Sequence, residues 1–323
     1  MSTYMMAYGP VPSRRLGQSL GINHVPPKVC TYACVYCQLG RTIEMTYERR
    51  KFYPPDEIEE TVKQQIEKTR NRMERIDYLT FVPDGEPTLD INLGQEIELL
   101  KPLDTDIAVI SNGSLIWRRD VRRDLMAADW VSLKVDAVTE GIWRRIDRPH
   151  GRLRLGEILE GMRAFKKVFE GELTTESMLV EGLNDGKEEV ELMADFIGEL
   201  QPDKAYLAIP TRPPAEDRVR PPSEATLNEA YQIFNDRIAH VEYLIGYEGD
   251  AFAFTGNVED DLLSITSVHP MREEGVKRLL TRATADWEVV ERMIDEGKLV
   301  RLDYLGNRFY MRSIKSRVGS PKT

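Results

Sequence analysis

The chain has 323 residues, 41% of them apolar and 30% charged, and a net charge of −10. That leaves room for one large domain plus a small appendage, in the composition of an ordinary globular protein. No stretch approaches the ~20 apolar residues of a membrane span, and the start, MSTYMMAYGPVPSRR, lacks a secretory pattern, so a cytoplasmic protein without a membrane partner is expected.

Helix and strand signals alternate along most of the chain. Residues 16–23 read as a first strand, followed by a loop that holds all three cysteines. Pro54-Pro55-Asp56 opens a polar helix with Ile58, Val62 and Ile66 on one stripe. Residues 76–82 read as a strand, 93–100 as a helix, 106–111 as a strand, 116–127 as a helix and 130–135 as a strand. A short helix near Ile142 and a longer one over 156–169 precede a strand at 173–180. Val190, Met193, Phe196, Ile197 and Leu200 sit at helical spacing over 188–200. A strand at 205–209, a Pro-rich stretch at 210–222, a helix at 223–236 capped by Ser223 and a strand at 241–245 complete the series.

Six strand-then-helix units in ~235 residues predict a parallel sheet with helices outside. A full eight-unit barrel takes ~250 residues, so a partial (β/α)6 barrel fits, although periodicity alone does not exclude a doubly wound open sheet. In both folds the site lies at the carboxyl ends of the strands. Beyond Gly256 the character changes. Residues 259–266, 273–281 and 286–296 read as short helices. Residues 298–303 and 308–312 read as a hairpin with Leu305-Gly306-Asn307 at its tip. The expected domains are therefore a catalytic barrel over 1–256 and a small winged-helix-like domain over 257–323, with residues 316–323 frayed. Residues 264–323 hold 12 Lys/Arg against 8 Asp/Glu, and the rest 32 against 46, so the body is strongly acidic. The basic runs (Arg14-Arg15, Arg49-Arg50-Lys51 and the pairs at 118–119 and 122–123) read mostly as solvated surface.

The chemistry concentrates in Cys30-Thr31-Tyr32-Ala33-Cys34-Val35-Tyr36-Cys37, a CxxxCxxC spacing with an aromatic before the last cysteine. An odd, clustered set suits a metal site better than disulfides. Thiolates are the natural ligands of iron–sulfur clusters, which commonly take four. Three leave one iron open for chemistry, and the sequence has no other cysteine. A structural zinc with His24 as fourth ligand is the competing reading. At the end of the second strand stands Asp84-Gly85-Glu86-Pro87-Thr88, and Ser111-Asn112-Gly113 ends the third. Lys134 and Asp136 share one face at the end of the fourth strand, and Thr175, Glu176 and Ser177 lie on the fifth.

This loop strongly resembles the cluster loop of the radical S-adenosylmethionine (SAM) superfamily, and residues 84–88 resemble that family's GGEPT motif with Asp84 at the first glycine. The opening Gly9-Pro10-Val11-Pro12-Ser13-Arg14-Arg15, with Gln38-Leu39-Gly40-Arg41, is similar to a prokaryotic Fe–S oxidoreductase branch near the wyosine-type tRNA-modifying enzymes. The resemblance implies one [4Fe-4S] cluster on Cys30, Cys34 and Cys37, with SAM on the open iron. It also implies SAM contacts from Tyr36, Gly85, Glu86, Pro87, Ser111, Asn112, Lys134 and Glu176, with Ile209 and Pro210 bordering the adenine. Arg15, Lys134 and Asp136 are the candidates on the substrate side. By the same resemblance a one-electron reductant drives SAM cleavage to a 5′-deoxyadenosyl radical, which takes hydrogen from an RNA, a peptide or a small molecule. The confinement of cysteine to residues 30–37 argues against auxiliary clusters. Five acids between Asp286 and Glu296 argue against DNA as the partner of the last helix. A non-catalytic metal-binding regulator is the alternative to an enzyme.

Overall fold

A computed structural model of the chain describes residues 6–245, 252, 254–268 and 270–313; residues 316–323 lie outside them. Eight strands form one sheet in sequence order: β1 (Ala7–Ser13), β2 (Gly17–Ile22), β3 (Tyr78–Phe81), β4 (Asp106–Ser111), β5 (Trp130–Lys134), β6 (Glu172–Met178), β7 (Lys204–Ala208) and β8 (Val241–Leu244). Neighbours from β2 to β8 pair in parallel, while β1 runs antiparallel to β2. The parallel strands are joined by α1 (Pro55–Arg70), α2 (Leu93–Leu100), α3 (Arg119–Leu125), α4 (Glu140–Ile146) with α5 (Leu155–Lys166), α6 (Lys187–Leu200) and α7 (Glu224–Asn235). These are the six expected units, closed by a seventh parallel strand.

Local chemistry sets the helix ends. Pro55 opens α1, whose first turn carries Asp56 and Glu57 and whose last carries Lys68 and Arg70, matching the helix dipole at both ends. Ser223 caps α7 by accepting the Thr226 amide at 3.1 Å. The helix expected from 116 begins at Arg119, because residues 113–118 fold as tight turns, Ile116 N–Gly113 O 3.1 Å and Arg118 N–Leu115 O 3.0 Å.

Two layers of apolar contact follow from strand alternation. Outward, Leu79, Val109, Val131, Leu133 and Leu207 pack with Ile58, Val62, Ile97 and Phe165 of the helices. Inward, Ala108, Trp130, Tyr206, Ala208 and Leu244 meet one another and Leu16 of the β1–β2 turn. Side chains from β4, β5, β7 and β8 can meet on one face only if the sheet is curled. Its ends, β1 and β8, are not neighbours, so the curl is an open half-barrel.

Beyond residue 256 come α8 (Val258–Val268), β9 (Met271–Arg272), α9 (Glu273–Ala283), α10 (Glu288–Asp295), β10 (Leu299–Tyr304) and β11 (Asn307–Arg312). The strands form an antiparallel sheet ordered β9-β11-β10. The hairpin turn is the two residues Leu305 and Gly306, both at positive φ (47° and 74°), the geometry that matches strand twist. The core of these elements, with Leu262, Ile265, Val276, Leu279 and Val290, also takes in Tyr8 and Val11 of β1. Among the described residues no helix is long and apolar enough to cross a membrane.

Candidate active site

The cysteine loop leaves β2 and is shaped by its own backbone. Val29–Cys30 bridges to Glu44–Met45, Cys37 N bonds to Cys34 O at 3.2 Å, and Gly40 N bonds to Cys37 O at 3.1 Å. All three cysteines line one cavity of about 280 Å³. Each sulfur has a polar neighbour: Asn112 Nδ2 at 3.6 Å from Cys30, Asp147 Oδ1 at 3.4 Å from Cys34 and Lys28 Nζ at 3.4 Å from Cys37. Burial, then the charge of Glu86, pushes the Cys30 thiol up to about 12; burial and Asp147 push Cys34 up as well. Burial thus favours the neutral thiol at Cys30 and Cys34, and a bound cationic centre would favour their thiolates.

The donor set bears on the two metal readings. His24 is buried, its Nε2 donates to the Pro87 carbonyl at 3.1 Å, and its ring stands edge-on to Phe81. Burial lowers its pKa to about 4, and it does not line the cavity. Among the described residues no three His, Cys, Asp or Glu side chains are grouped to share a single ion. Three thiols spread around a common cavity fit a multi-iron cluster, whose ligands each take a different iron.

The segment after β3 closes over the cysteine loop. Glu86 N bonds to the Val29 carbonyl at 3.1 Å, and a Cβ placed on Gly85 would stand 2.0 Å from that same oxygen. Asp84 occupies the family's glycine position at negative φ, so no left-handed turn is required of it. The Glu86 carboxylate is buried and accepts four hydrogen bonds: Thr88 N at 3.0 Å, Thr88 Oγ1 at 2.6 Å, Ser111 Oγ at 2.7 Å and Asn112 N at 2.8 Å. Burial raises its pKa while these donors oppose the rise. Asn112 Nδ2 donates to Thr31 Oγ1 at 2.8 Å, so the end of β4 is tied to both the cysteine loop and Glu86. Pro87 lies beneath, outside the cavity lining.

Across the cavity, Lys134 on β5 bonds to Glu176 on β6 at 2.8 Å, and Arg15 of the β1–β2 turn pairs with the same carboxylate. Burial works against the Lys134 charge, but Glu176 and Asp136 outweigh it and hold the pKa high. Lys134 also stands 5.0 Å from the centre of the Tyr36 ring. Asp136 does not face this cavity. It is buried, accepts from Tyr36 Oη and takes Met178 N at 2.7 Å. It lies two residues beyond Lys134, the last residue of β5, where strand alternation no longer governs its direction. Thr175 and Ser177 also point away, since only Glu176 and Met178 of that strand reach the lining.

Several neighbours escaped sequence reasoning. Asp147 sits against Cys34 and Tyr36, and burial and the charge of Asp136 hold its carboxyl well above the usual range. Arg49, within a basic run read as surface, is buried; it donates to the Thr88 and Asp90 carbonyls at 2.8 and 2.7 Å and pairs with Asp120 and Asp124. Ile209 and Pro210 line the rim with Arg212, which donates to Gln38 beside Cys37 at 2.7 Å. Tyr304 of β10 donates to the Pro210 carbonyl at 3.2 Å.

The Radical SAM superfamily model matches residues 25–197, more than half of the chain. A UPF0026 protein of Methanocaldococcus jannaschii is 52% identical over 97% of both chains. The crystal structure of a radical SAM methyltransferase from Sphaerobacter thermophilus shares the fold, with TM-score 0.53 and 16% identity over 70% of this chain and 66% of that one. A structure of TYW1 with a lysine–pyruvate adduct aligns over 91% of this chain and 80% of its own, with TM-score 0.43 and 13% identity. The match spans the cysteine loop and the ends of the next four parallel strands: the chain belongs to the radical SAM superfamily.

Proposed function

We propose that this chain is a radical SAM enzyme that holds a single [4Fe-4S] cluster on Cys30, Cys34 and Cys37 and acts on a substrate lodged toward Arg15, Lys134 and Glu176. One observation carries the reading. Three thiols, with no fourth cysteine in the chain, line the same cavity as the Glu86–Ser111–Asn112 group at the strand ends. When bound, cluster and SAM would supply one-electron cleavage of the sulfonium and, from it, a hydrogen-abstracting 5′-deoxyadenosyl radical.

The protein's own part is placement. The cysteine loop would present the cluster to the cavity. Glu86, held by three donors at Oε1 and by Asn112 N at Oε2, would turn the second lone pair of Oε2 to a ligand ammonium. Tyr36 and the Ile209–Pro210 rim would give flat apolar contact. The Arg15–Glu176–Lys134 chain would orient a polar substrate opposite the cysteines. The reading also takes α8, β9, α9, α10, β10 and β11 as a winged-helix module over 257–323, supported by its element order and antiparallel wing. Its Tyr304 contact at the rim suits a cap that shapes the mouth of the cavity.

Anaerobic reconstitution with iron and sulfide, then reduction in the presence of SAM, tests the reading. About four irons per chain and slow release of 5′-deoxyadenosine are expected, both lost when Cys30, Cys34 and Cys37 are changed together to Ala. Tight zinc, no cluster and intact SAM would overturn it.

A further inference from the structure

Lys28 stands two residues before the first cysteine in a conformation that lysine rarely takes. Its φ is 63°, in the left-handed region, and it is 3% exposed, whereas lysines are almost never buried unless paired. Both sides of the residue are pinned. Its amide donates to the Asp84 carbonyl at 2.7 Å, and its carbonyl accepts from Ile43 N at 3.0 Å and Glu44 N at 3.1 Å. Its ammonium donates to the Gly40 carbonyl at 2.6 Å and lies 3.4 Å from Cys37 Sγ. The three sulfurs thus meet unlike partners: an amide at Cys30, a carboxyl at Cys34 and a cation at Cys37.

A strained backbone held from several directions around a buried charge points to a use for that charge. We propose that Lys28 acts through Cys37, as a fixed positive charge that raises the potential at which a cluster on this loop accepts its electron. Reduction adds one negative charge to the cluster, and a desolvated ammonium at van der Waals distance from a ligand sulfur favours the more negative form. The electron comes from the one-electron reductant that the proposed function already requires; Lys28 itself exchanges no electron. The competing role is local: Asp84, 3% exposed, is also near Lys28, and the ammonium would then serve only to offset that carboxyl.

This rests on the cysteine loop binding a cluster, which the iron and sulfide content of the unaltered protein reports separately. The test is an anaerobic redox titration of the reconstituted full chain, followed by its spectrum without substrate, for the parent and for Lys28→Arg, Lys28→Gln and Lys28→Met. The neutral variants are expected to keep their iron and to shift the midpoint to more negative values. Gln can still bond to Gly40 and Met cannot, so a shift common to both isolates the charge. Arg should stay near the parent. An unchanged midpoint in both neutral variants would overturn the proposal in favour of the Asp84 role. Loss of iron from both would overturn it too, the ammonium then being a structural pin of the loop.

Discussion

Gly85 has no room for a methyl group, because its Cβ would fall 2.0 Å from the Val29 carbonyl oxygen and 3.0 Å from its carbon. Its φ is not positive, so close approach and not backbone freedom explains the glycine. Gly85→Ala must push the strand end away from the cysteine loop. We expect a variant with normal helix and strand content by circular dichroism that keeps less than about half of the parent's cluster iron, as supporting residues commonly cost 10–100-fold in metal affinity. Parent-level iron would show that the two segments can separate freely. At this scale the sequence was informative where chemistry is contiguous. Cys30, Cys34 and Cys37 stand out by their spacing, and the run from Gly85 to Thr88 by its resemblance to a family motif. Asp147 and Arg212 did not, since they reach Cys34 and Gln38 from 113 and 174 residues away. No local pattern distinguishes them from surface charges. Asp136 misled for the opposite reason: its spacing from Lys134 implied a shared face that holds only while the strand continues.

Within α2, Glu96 is 1% exposed and neither of its carboxylate oxygens has a hydrogen-bond partner among the described residues. Burial, then the charge of Asp90, raises its pKa to about 9, so at neutral pH it sits in the helix as the uncharged acid. Below the unfolded-state value of 4.5 both states are protonated and the group has no pH-dependent effect. As pH climbs toward 9 the unfolded chain releases this proton while the folded one retains it, and stability falls. Glu96→Gln should remove that slope. Urea unfolding of the metal-free protein from pH 5 to pH 9 is expected to show the variant gaining on the parent, by about 1–3 kcal/mol at the alkaline end. Parallel curves would mean that the carboxylate finds solvent. Elements themselves were mostly legible: α2 and β4 occur over the expected residues, and seven further helices, α3 and α5 to α10, end within three residues of their expected ends. β1 was not, because Gly9, Pro10 and Pro12 interrupt the alternation by which a strand is recognised. Proline survives there because an edge strand can leave amide positions unpaired. β9, at two residues, is too short to carry a pattern.

Across the whole molecule, β1 is held between two bodies of structure. It pairs with β2 on one side, while Tyr8 and Val11 are buried in the core built by residues 252–310. A chain ending at Gly256 would leave those side chains bare on a sheet edge, a setting prone to association. It is expected to aggregate or to bind a hydrophobic dye strongly; a monodisperse, dye-silent barrel would mean that the C-terminal elements are dispensable for covering β1. The partial barrel was foreseeable because βα repetition is a property of the sequence. The burial of its first strand under its last elements was not, since nothing local records a contact across the whole chain. That arrangement has a cost in time. During synthesis β1 leaves the ribosome well before the elements that cover it, the last of which is made about 300 residues later, which at ~5–20 residues per second is a wait of roughly 15–60 s. For that interval the newborn barrel carries an uncovered apolar edge, and its yield in a cell depends on how well nascent-chain chaperones shield β1 until the β10–β11 hairpin arrives.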